Sequence, residues 1–377
     1  WQHSKEESEW TKDISGLEHD ITFIKSYYPE ILGKRPGTIS EKIRYRVALA
    51  YVKLFSKGNY YDKSIFWKKN LLDACRETIR ENKIRNLICT IGPFRTSSFI
   101  LELKSEFPDL NLILDYRDPW TNNLTSFGFE LLSLKRLAYE KDLEKKVLET
   151  YDKILVVSSH MAPYLDEISN STRSLNITEV TNGFDNDDFP SFRTEEKEKG
   201  TVKIVFAGTF YEKALHVFLH FLESLQKINA DEKNLNLKKL RFIFLGQIAT
   251  GMEKAFEQYP EHLQFIGRKK LSETYQEIAS ADFCALFLSD DLTYSMSTKF
   301  YEYMGMRKPI ILFAKNHGPT ARFLEENGLG IAIDFNNTYE QLVKILTPGY
   351  SVQLKNDQQA NQFDVRQIVG RIEQLLN

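Results

Sequence analysis

The stretch Ser297-Thr-Lys-Phe-Tyr-Glu-Tyr-Met-Gly-Met-Arg-Lys-Pro309, followed at once by Ile310-Ile311-Leu312-Phe313, decides how this chain is read. Aromatic residues at helical spacing surround one carboxylate, Glu302. Gly305 and Pro309 then break the pattern, and the apolar run after them reads as a buried strand. A helix that feeds a buried parallel strand leaves its N-terminus, with unpaired N–H groups and the positive end of its dipole, at one edge of a sheet. Ser295, Ser297 and Thr298 stand at that start, with Lys299 one residue inside. Those groups suit phosphates, and Glu302, one turn further on, suits sugar hydroxyls. The plainer reading is an amphipathic helix with a solvated glutamate, so the rest of the chain has to decide.

Outward from this stretch, strands and helices alternate. On the C-terminal side, Glu325-Glu326-Asn327-Gly328 closes a helix, Gly330–Ile333 is a short strand and Val365–Leu376 an amphipathic helix. On the N-terminal side, strands are expected at Val202–Phe206, Leu240–Leu245, Leu263–Ile266 and Phe283–Leu288. Helices are expected at Ala214–Ile228, 251–258 and Ser272–Ser280 between them. Before this set the run Arg193–Gly200 has no apolar residue and reads as a linker. A second alternating set precedes it, with strands at Leu87–Ile91, Leu110–Leu114, Ile154–Val157 and Thr178–Thr181, and a further short strand at Ile21–Ile24. The helix expected over 131–149 balances its cations with nearly as many carboxylates and reads as a solvated face. The fold class is therefore α/β, with two Rossmann-like domains facing a cleft.

Composition agrees with two globular domains: 377 residues, 42% hydrophobic, 27% charged, net charge −2. Near-neutral charge argues against nucleic acid as a partner. Cys75, Cys89 and Cys284 are too scattered for a disulfide framework or a metal cluster, and Cys89 and Cys284 read as core, which fits a reducing, cytoplasmic setting. No apolar run approaches the roughly 20 residues of a membrane span, and no signal peptide is visible. Residues 34–69 are a compositional island, with ten Lys and Arg against Glu41 and Asp62. There Ile43, Val47, Ala50 and Leu54 form one stripe at helical spacing, beside Lys42, Arg46, Lys53 and Lys57. Such a helix can rest on an anionic membrane surface; a solvated face is the plainer reading.

Four features of the second set point at one cleft: Gly208-Thr209 with Lys213, Gly246 with Gln247, Gly267-Arg268, and Ser297–Glu302 with Thr298 and Lys299. Glycine turns, a helix N-terminus, cations and one carboxylate together suit a nucleotide-diphosphate sugar, with backbone N–H groups and Lys213 on the diphosphate and Glu302 on the ribose. On the other side Asp118, in Asp115-Tyr-Arg-Asp118-Pro-Trp120, is the best acceptor-side polar residue.

In this order the motifs Thr181-Asn-Gly-Phe-Asp-Asn-Asp-Asp-Phe189, Ile204-Val-Phe-Ala-Gly-Thr-Phe210, Phe265-Ile-Gly-Arg-Lys-Lys-Leu271, Ser297–Ile310 and Glu326-Asn-Gly-Leu-Gly-Ile-Ala-Ile-Asp334 resemble the GT-B glycosyltransferases, in particular the large retaining family 4 type of bacterial polysaccharide-assembly enzymes. Thr90-Ile-Gly-Pro-Phe-Arg-Thr-Ser-Ser-Phe99 and Leu114–Trp120 resemble acceptor-domain segments of the same enzymes. The resemblance implies an acceptor domain over 1–190, a donor domain over 191–355 and a C-terminal helix over 356–377 that returns to the first domain. It also implies a glycan or lipid-linked acceptor, transfer with retention, no cofactor or metal, and work at the inner face of a membrane in cell-surface polysaccharide assembly. The family pairs two glutamates eight residues apart; Glu302 fits the second, but Tyr294 occupies the first, with Asp290 or Asp291 as substitutes. The acceptor domain's first strand and glycine-rich loop are not recognisable before Ile21 and are expected upstream of Trp1. Three rivals stay open: a metal-dependent transferase using Asp185-Asn186-Asp187, a sugar-nucleotide epimerase, and a degenerate transferase that only binds.

Overall fold

A computed structural model describes residues 20–34, 36–122, 128–170, 174–189, 198–231, 236–290, 296–352, 354 and 360–376. The chain forms two compact units, Trp1–Glu179 and Val180–Asn377.

In the first unit, α1 (Ile39–Phe55) begins in a capping box, the Thr38 side chain accepting from the Glu41 N–H and the Glu41 carboxylate accepting from the Thr38 N–H. There follow α2 (Lys68–Asn82), β1 (Asn86–Thr90), α3 (Arg95–Glu106), β2 (Asn111–Tyr116), α4 (Leu134–Thr150), β3 (Lys153–Val156), α5 (Ala162–Ser169) and β4 (Ile177–Glu179). The strands make a parallel four-stranded sheet in sequence order, β1-β2-β3-β4. Ile21–Ile24 is no strand of this sheet. The Trp67 indole N–H donates to the Ile24 carbonyl at 3.1 Å and the Asn70 amide to Lys25 at 2.8 Å, so side chains hold this segment where a ladder was expected. The solvated-face reading of α4 also fails at two positions: Glu140 and Glu144 are fully buried. Burial is tolerated because every carboxylate oxygen meets donors. Glu140 pairs with Arg95 at 2.9 Å and accepts from the Asn59 N–H at 2.6 Å and the Trp120 indole at 3.0 Å.

The second unit runs β5 (Thr201–Thr209), α6 (Leu215–Ala230), β6 (Lys239–Gln247), α7 (Glu253–Gln258), β7 (Leu263–Gly267), α8 (Leu271–Ser280), β8 (Phe283–Phe287), α9 (Thr298–Gly305), β9 (Ile310–Phe313), α10 (Pro319–Glu326), β10 (Gly330–Ile333), α11 (Thr338–Leu346) and α12 (Val365–Leu376). Its parallel six-stranded sheet has the order β10-β9-β8-β5-β6-β7. Both faces are covered, which is why its strands are apolar at nearly every position. Ile204 and Phe206 enter one core with Phe242, Phe244, Phe218 and Phe313, while Val205 and Ala207 enter the other with Ile243, Phe300, Tyr301 and Tyr303. Cys284 lies in the second of these cores, and Cys89 is buried in the first unit. The start of α12 closes on the head of this unit, where the Phe184 N–H donates to Phe363 at 3.0 Å and the Val365 N–H to Phe184 at 2.9 Å.

Candidate functional site

Strand order in the second sheet reverses between β5 and β8: β6 and β7 add on one side, β8, β9 and β10 on the other. The helices that follow β5 and β8 diverge there, and a crevice opens beyond the carboxyl ends of the strands. A pocket of about 420 Å³ occupies this point. Phe206–Tyr211 at the end of β5, Gly246 and Gln247 at the end of β6, Arg268 after β7, Leu286–Ser289 at the end of β8, and Ser297, Thr298 and Lys299 at the start of α9 line it.

Its floor is backbone. Gly208 and Gly246 lie side by side in the ladder, and Gly246 has φ +112°. A Cβ at Gly246 would come within 2.1 Å of the Gly208 carbonyl oxygen, so no other residue fits without moving β5. On the pocket side a Cβ at Gly208 would meet nothing nearer than Lys299 Cγ at 3.8 Å, which leaves its peptide open to a ligand. Gly246 is thus required by the close approach of two strand ends, a stronger constraint than the turn expected from sequence.

The wall is the first turn of α9. Ser297 occupies the N-cap in extended conformation and makes no side-chain capping bond, so the helix start and its hydroxyl face the pocket without a local partner for the cap. The helix is fixed from behind by its aromatics. Phe300, Tyr301 and Tyr303 are fully buried, and the Tyr303 hydroxyl accepts from the Ala207 N–H at 2.9 Å. This bond from the underside of α9 to the end of β5 ties the helix wall to the strand that supplies the floor. On the opposite face, Lys299 and Glu302 form an ion pair at 2.7 Å.

Of the residues expected from sequence, Gly208, Thr209, Gly246, Arg268, Ser297, Thr298 and Lys299 converge on this pocket. Glu302 is not among the lining residues; its link to the pocket is the ion pair with Lys299. Lys213 and Gly267 do not line it, although each adjoins a lining residue, Ala214 and Arg268 respectively. Tyr211, Phe287 and Ser289 also line it. The end of β8 was readable as a strand end, but only sheet order shows that it neighbours β5. Tyr294, Ser295 and Asp291 lie outside the described residues; Asp290 is held by His216 at 3.2 Å and Lys315 at 3.5 Å.

Asp118 belongs to the first unit, on the loop after β2. That loop is pinned on both sides. The Trp120 N–H donates to the Tyr116 hydroxyl at 2.8 Å, and Tyr116 and Thr121 both donate to Glu144. Crowding by protein raises the Asp118 carboxyl above its usual range against the attraction of Arg117, which itself pairs with Asp115 at 2.8 Å. Burial likewise raises Glu144, opposed by the hydrogen bonds it accepts from Thr121, Tyr116 and Tyr164.

Asp185 and Asp187 are engaged in structure. The Asp185 side chain caps the short helix Asn186–Asp188 by accepting from the Asp187 N–H at 2.9 Å, and Asp187 pairs with Arg366. Among the described residues no group of three or more His, Cys, Asp or Glu is arranged to hold a metal ion.

Residues 201–347, most of the second unit, match the family model of glycosyl transferases group 1. Compared by sequence, the chain has no significant match among curated proteins. Among solved structures it is similar to sucrose-phosphate synthase from Thermosynechococcus elongatus, with TM-score 0.57 and 14% identity over 84% of this chain and 78% of that one. It is similar to the N-terminal domain of Candida albicans trehalose-6-phosphate phosphatase, with TM-score 0.54 and 13% identity over 95% and 85% of the two chains. The apo lipopolysaccharide outer core galactosyltransferase WaaB gives TM-score 0.52 and 12% identity over 82% and 80%. At these identities the likeness is one of fold. The chain has the GT-B fold, and its second unit carries a glycosyltransferase group 1 domain.

Proposed function

We propose that this chain moves a sugar from a nucleotide-diphosphate donor, held in the pocket of the second unit, to a hydroxyl of a glycan or lipid-linked acceptor, with retention and without a metal. The observation that carries the reading is the meeting of a backbone floor, a helix start and two cations, Arg268 and Lys299, in one pocket at the strand-order reversal. A diphosphate takes hydrogen bonds from exposed N–H groups and charge from cations, and this pocket offers both. A volume of about 420 Å³ lies within the range of small-ligand pockets.

In the reaction the bond between the anomeric carbon and the diphosphate oxygen breaks, and the acceptor oxygen takes its place. The acceptor's proton leaves with the diphosphate. Negative charge grows on the leaving group, so Lys299, Arg268 and the N–H groups of the first turn of α9 act where charge develops. Lys213 adds to this field. Glu302 holds the ribose hydroxyls and, by pairing with Lys299, sets the position of that ammonium. Asp118, with its raised carboxyl, serves the acceptor side. Retention and assembly of cell-surface polysaccharide are carried over from the family resemblance.

The test is donor consumption across a panel of uridine, guanosine and adenosine diphosphate sugars, with and without acceptor, for the wild type and Glu302→Gln. A donor that is consumed only with an acceptor, and at least tenfold more slowly by the variant, supports the reading. Conversion of the donor without acceptor would make the chain an epimerase. Tight binding with no turnover of any donor would leave it a binding protein.

A further inference from the structure

Helix α1 has two apolar faces, and only one of them is used. Val52 is buried against Tyr28, Tyr60 and Ile65, with Leu49 packed beside it. The stripe of Ile43, Val47, Ala50 and Leu54 lies on the other side and faces water, with Ile39 at its head. At about 100° per residue these five fall within an arc of about 80°. Ile39 is 78% and Leu54 77% exposed, and Ile43 and Val47 are more than half exposed. Isolated exposed apolar residues are ordinary, but a continuous helical stripe of them is not.

The borders of the stripe are basic. Lys42, Arg46 and Lys53 run along one edge, and Arg44 stands on the other with the exposed rings of Tyr51 and Phe55. The single carboxylate of the helix, Glu41, is turned to the cap, where it accepts from Gly37 at 2.8 Å and Thr38 at 3.0 Å. Asp62, the other acid of this island, is buried. The apolar surface continues past the helix end. Arg136 donates to the carbonyls of Lys53, Ser56 and Gly58 and so holds the start of α4 against the end of α1, next to the exposed Leu131 and Leu134.

We propose that this face of α1 docks the protein on an anionic lipid bilayer, the apolar stripe entering the interface and the flanking cations meeting the headgroups. An aqueous partner protein would match an apolar stripe or a basic one; the pairing of a narrow apolar arc with cations on both borders and no carboxylate along that arc of the helix matches the layered chemistry of a bilayer surface. No helix among the described residues is long and apolar enough to cross a membrane, so the contact is lateral. The inference rests on the first unit alone and stands or falls apart from the sugar-transfer reading.

The experiment is co-sedimentation of the full chain with vesicles of phosphatidylcholine and of phosphatidylcholine containing phosphatidylglycerol. Two triple variants accompany the wild type: Lys42→Gln/Arg46→Gln/Lys53→Gln, and Ile43→Ser/Val47→Ser/Leu54→Ser. All six side chains are exposed, so both variants should fold, which near-ultraviolet circular dichroism checks. The wild type is expected on the anionic vesicles and at least tenfold more weakly on the neutral ones. At about one factor of five to ten per cation near an anionic surface, the charge variant should bind on the order of 100-fold more weakly, and the serine variant should not bind. Wild type that stays in solution, equal binding to both vesicles, or unchanged binding by either variant overturns the proposal. So does concentration-dependent dimerisation, seen by sedimentation velocity, that the serine variant abolishes while vesicles bind nothing; that result would assign the face to a second copy of the chain.

Discussion

Both units carry parallel sheets, yet the six-stranded sheet reverses its order between β5 and β8, whereas the described strands of the first unit add one after another in sequence order. The reversal gives the second unit a crevice made of backbone, and its pocket needs little from side chains beyond two cations and glycines that keep out of the way. The first unit has no such reversal among its described strands. Its candidate loop, Asp115–Thr121, is held by side chains, through Glu140 and Glu144 buried in α4. One unit presents a ligand surface through topology; the other positions its loop with buried charge. The cost of disturbing each should therefore differ in kind.

The largest effect is expected where a buried pair is broken. Glu140→Ala leaves the Arg95 guanidinium buried without its carboxylate and should destabilise the first unit by about 3–5 kcal/mol. All four tryptophans of the sequence, Trp1, Trp10, Trp67 and Trp120, precede Val180, so tryptophan fluorescence during urea unfolding reads the first unit selectively. The same variant should leave nucleotide binding by the second unit intact; loss of both together would erase the distinction between the units.

Gly246→Ala is the corresponding break in the second unit. Its Cβ would meet the Gly208 carbonyl oxygen, and its φ is unfavourable for alanine, a cost of about 1–3 kcal/mol. Far-ultraviolet circular dichroism should show a lowered second-unit transition, calorimetry should show lost nucleotide affinity, and the tryptophan transition should not move. The loss of one cation is of similar size but is felt in binding alone. Lys299→Ala or Arg268→Ala should weaken binding of a nucleoside diphosphate by about 1.5–3 kcal/mol, on the order of 10- to 100-fold, with the fold unchanged.

The smallest effect is one of pH. Burial raises the Glu144 carboxyl above its usual 4.5 in the folded protein, and uncharged donors alone oppose that rise. A raised folded value means the folded state holds the proton more tightly than the unfolded one. Its contribution is full below the ordinary glutamate value and is lost as pH rises through the folded value. The first unit should therefore lose stability over that rise, and Glu144→Gln should show a flatter dependence in the same tryptophan-detected titration. An identical slope in variant and wild type would place the pH dependence elsewhere.

How much of this was legible in the sequence follows the same division. The second sheet could be read strand by strand because both its faces are buried: runs such as Ile310–Phe313 and Phe283–Phe287 have no polar alternation to confuse them. The pocket's glycines, helix start and cations were visible as four motifs expected at one cleft, because the carboxyl ends of parallel strands share an edge; which strand ends adjoin there depends on strand order, which no local pattern encodes. The first unit was harder. Glu140 and Glu144 look like solvated charges on α4 because their partners Arg95, Asn59, Tyr116 and Thr121 are distant in sequence. In α1 the period identifies a helix and one apolar stripe, Ile43–Leu54, yet the face that turns inward is the one carrying Val52, whose partners Tyr28, Tyr60 and Ile65 lie outside the helix. Two helices, α5 and α11, were missed although signals existed: Pro163 near the first position of α5, and Leu342, Ile345 and Leu346 at helical spacing in α11.

The central claim is that the pocket at the strand-order reversal holds a diphosphate through Arg268, Lys299 and the start of α9. Isothermal titration calorimetry tests it most directly, with ADP, GDP and UDP and the matching nucleosides titrated into the wild type and the Arg268→Ala/Lys299→Ala double variant. The account predicts that at least one nucleoside diphosphate binds the wild type, at least tenfold more tightly than its nucleoside, and that the double variant loses this advantage. A nucleoside diphosphate that binds wild type and double variant equally well, or binds no better than its nucleoside, would contradict it.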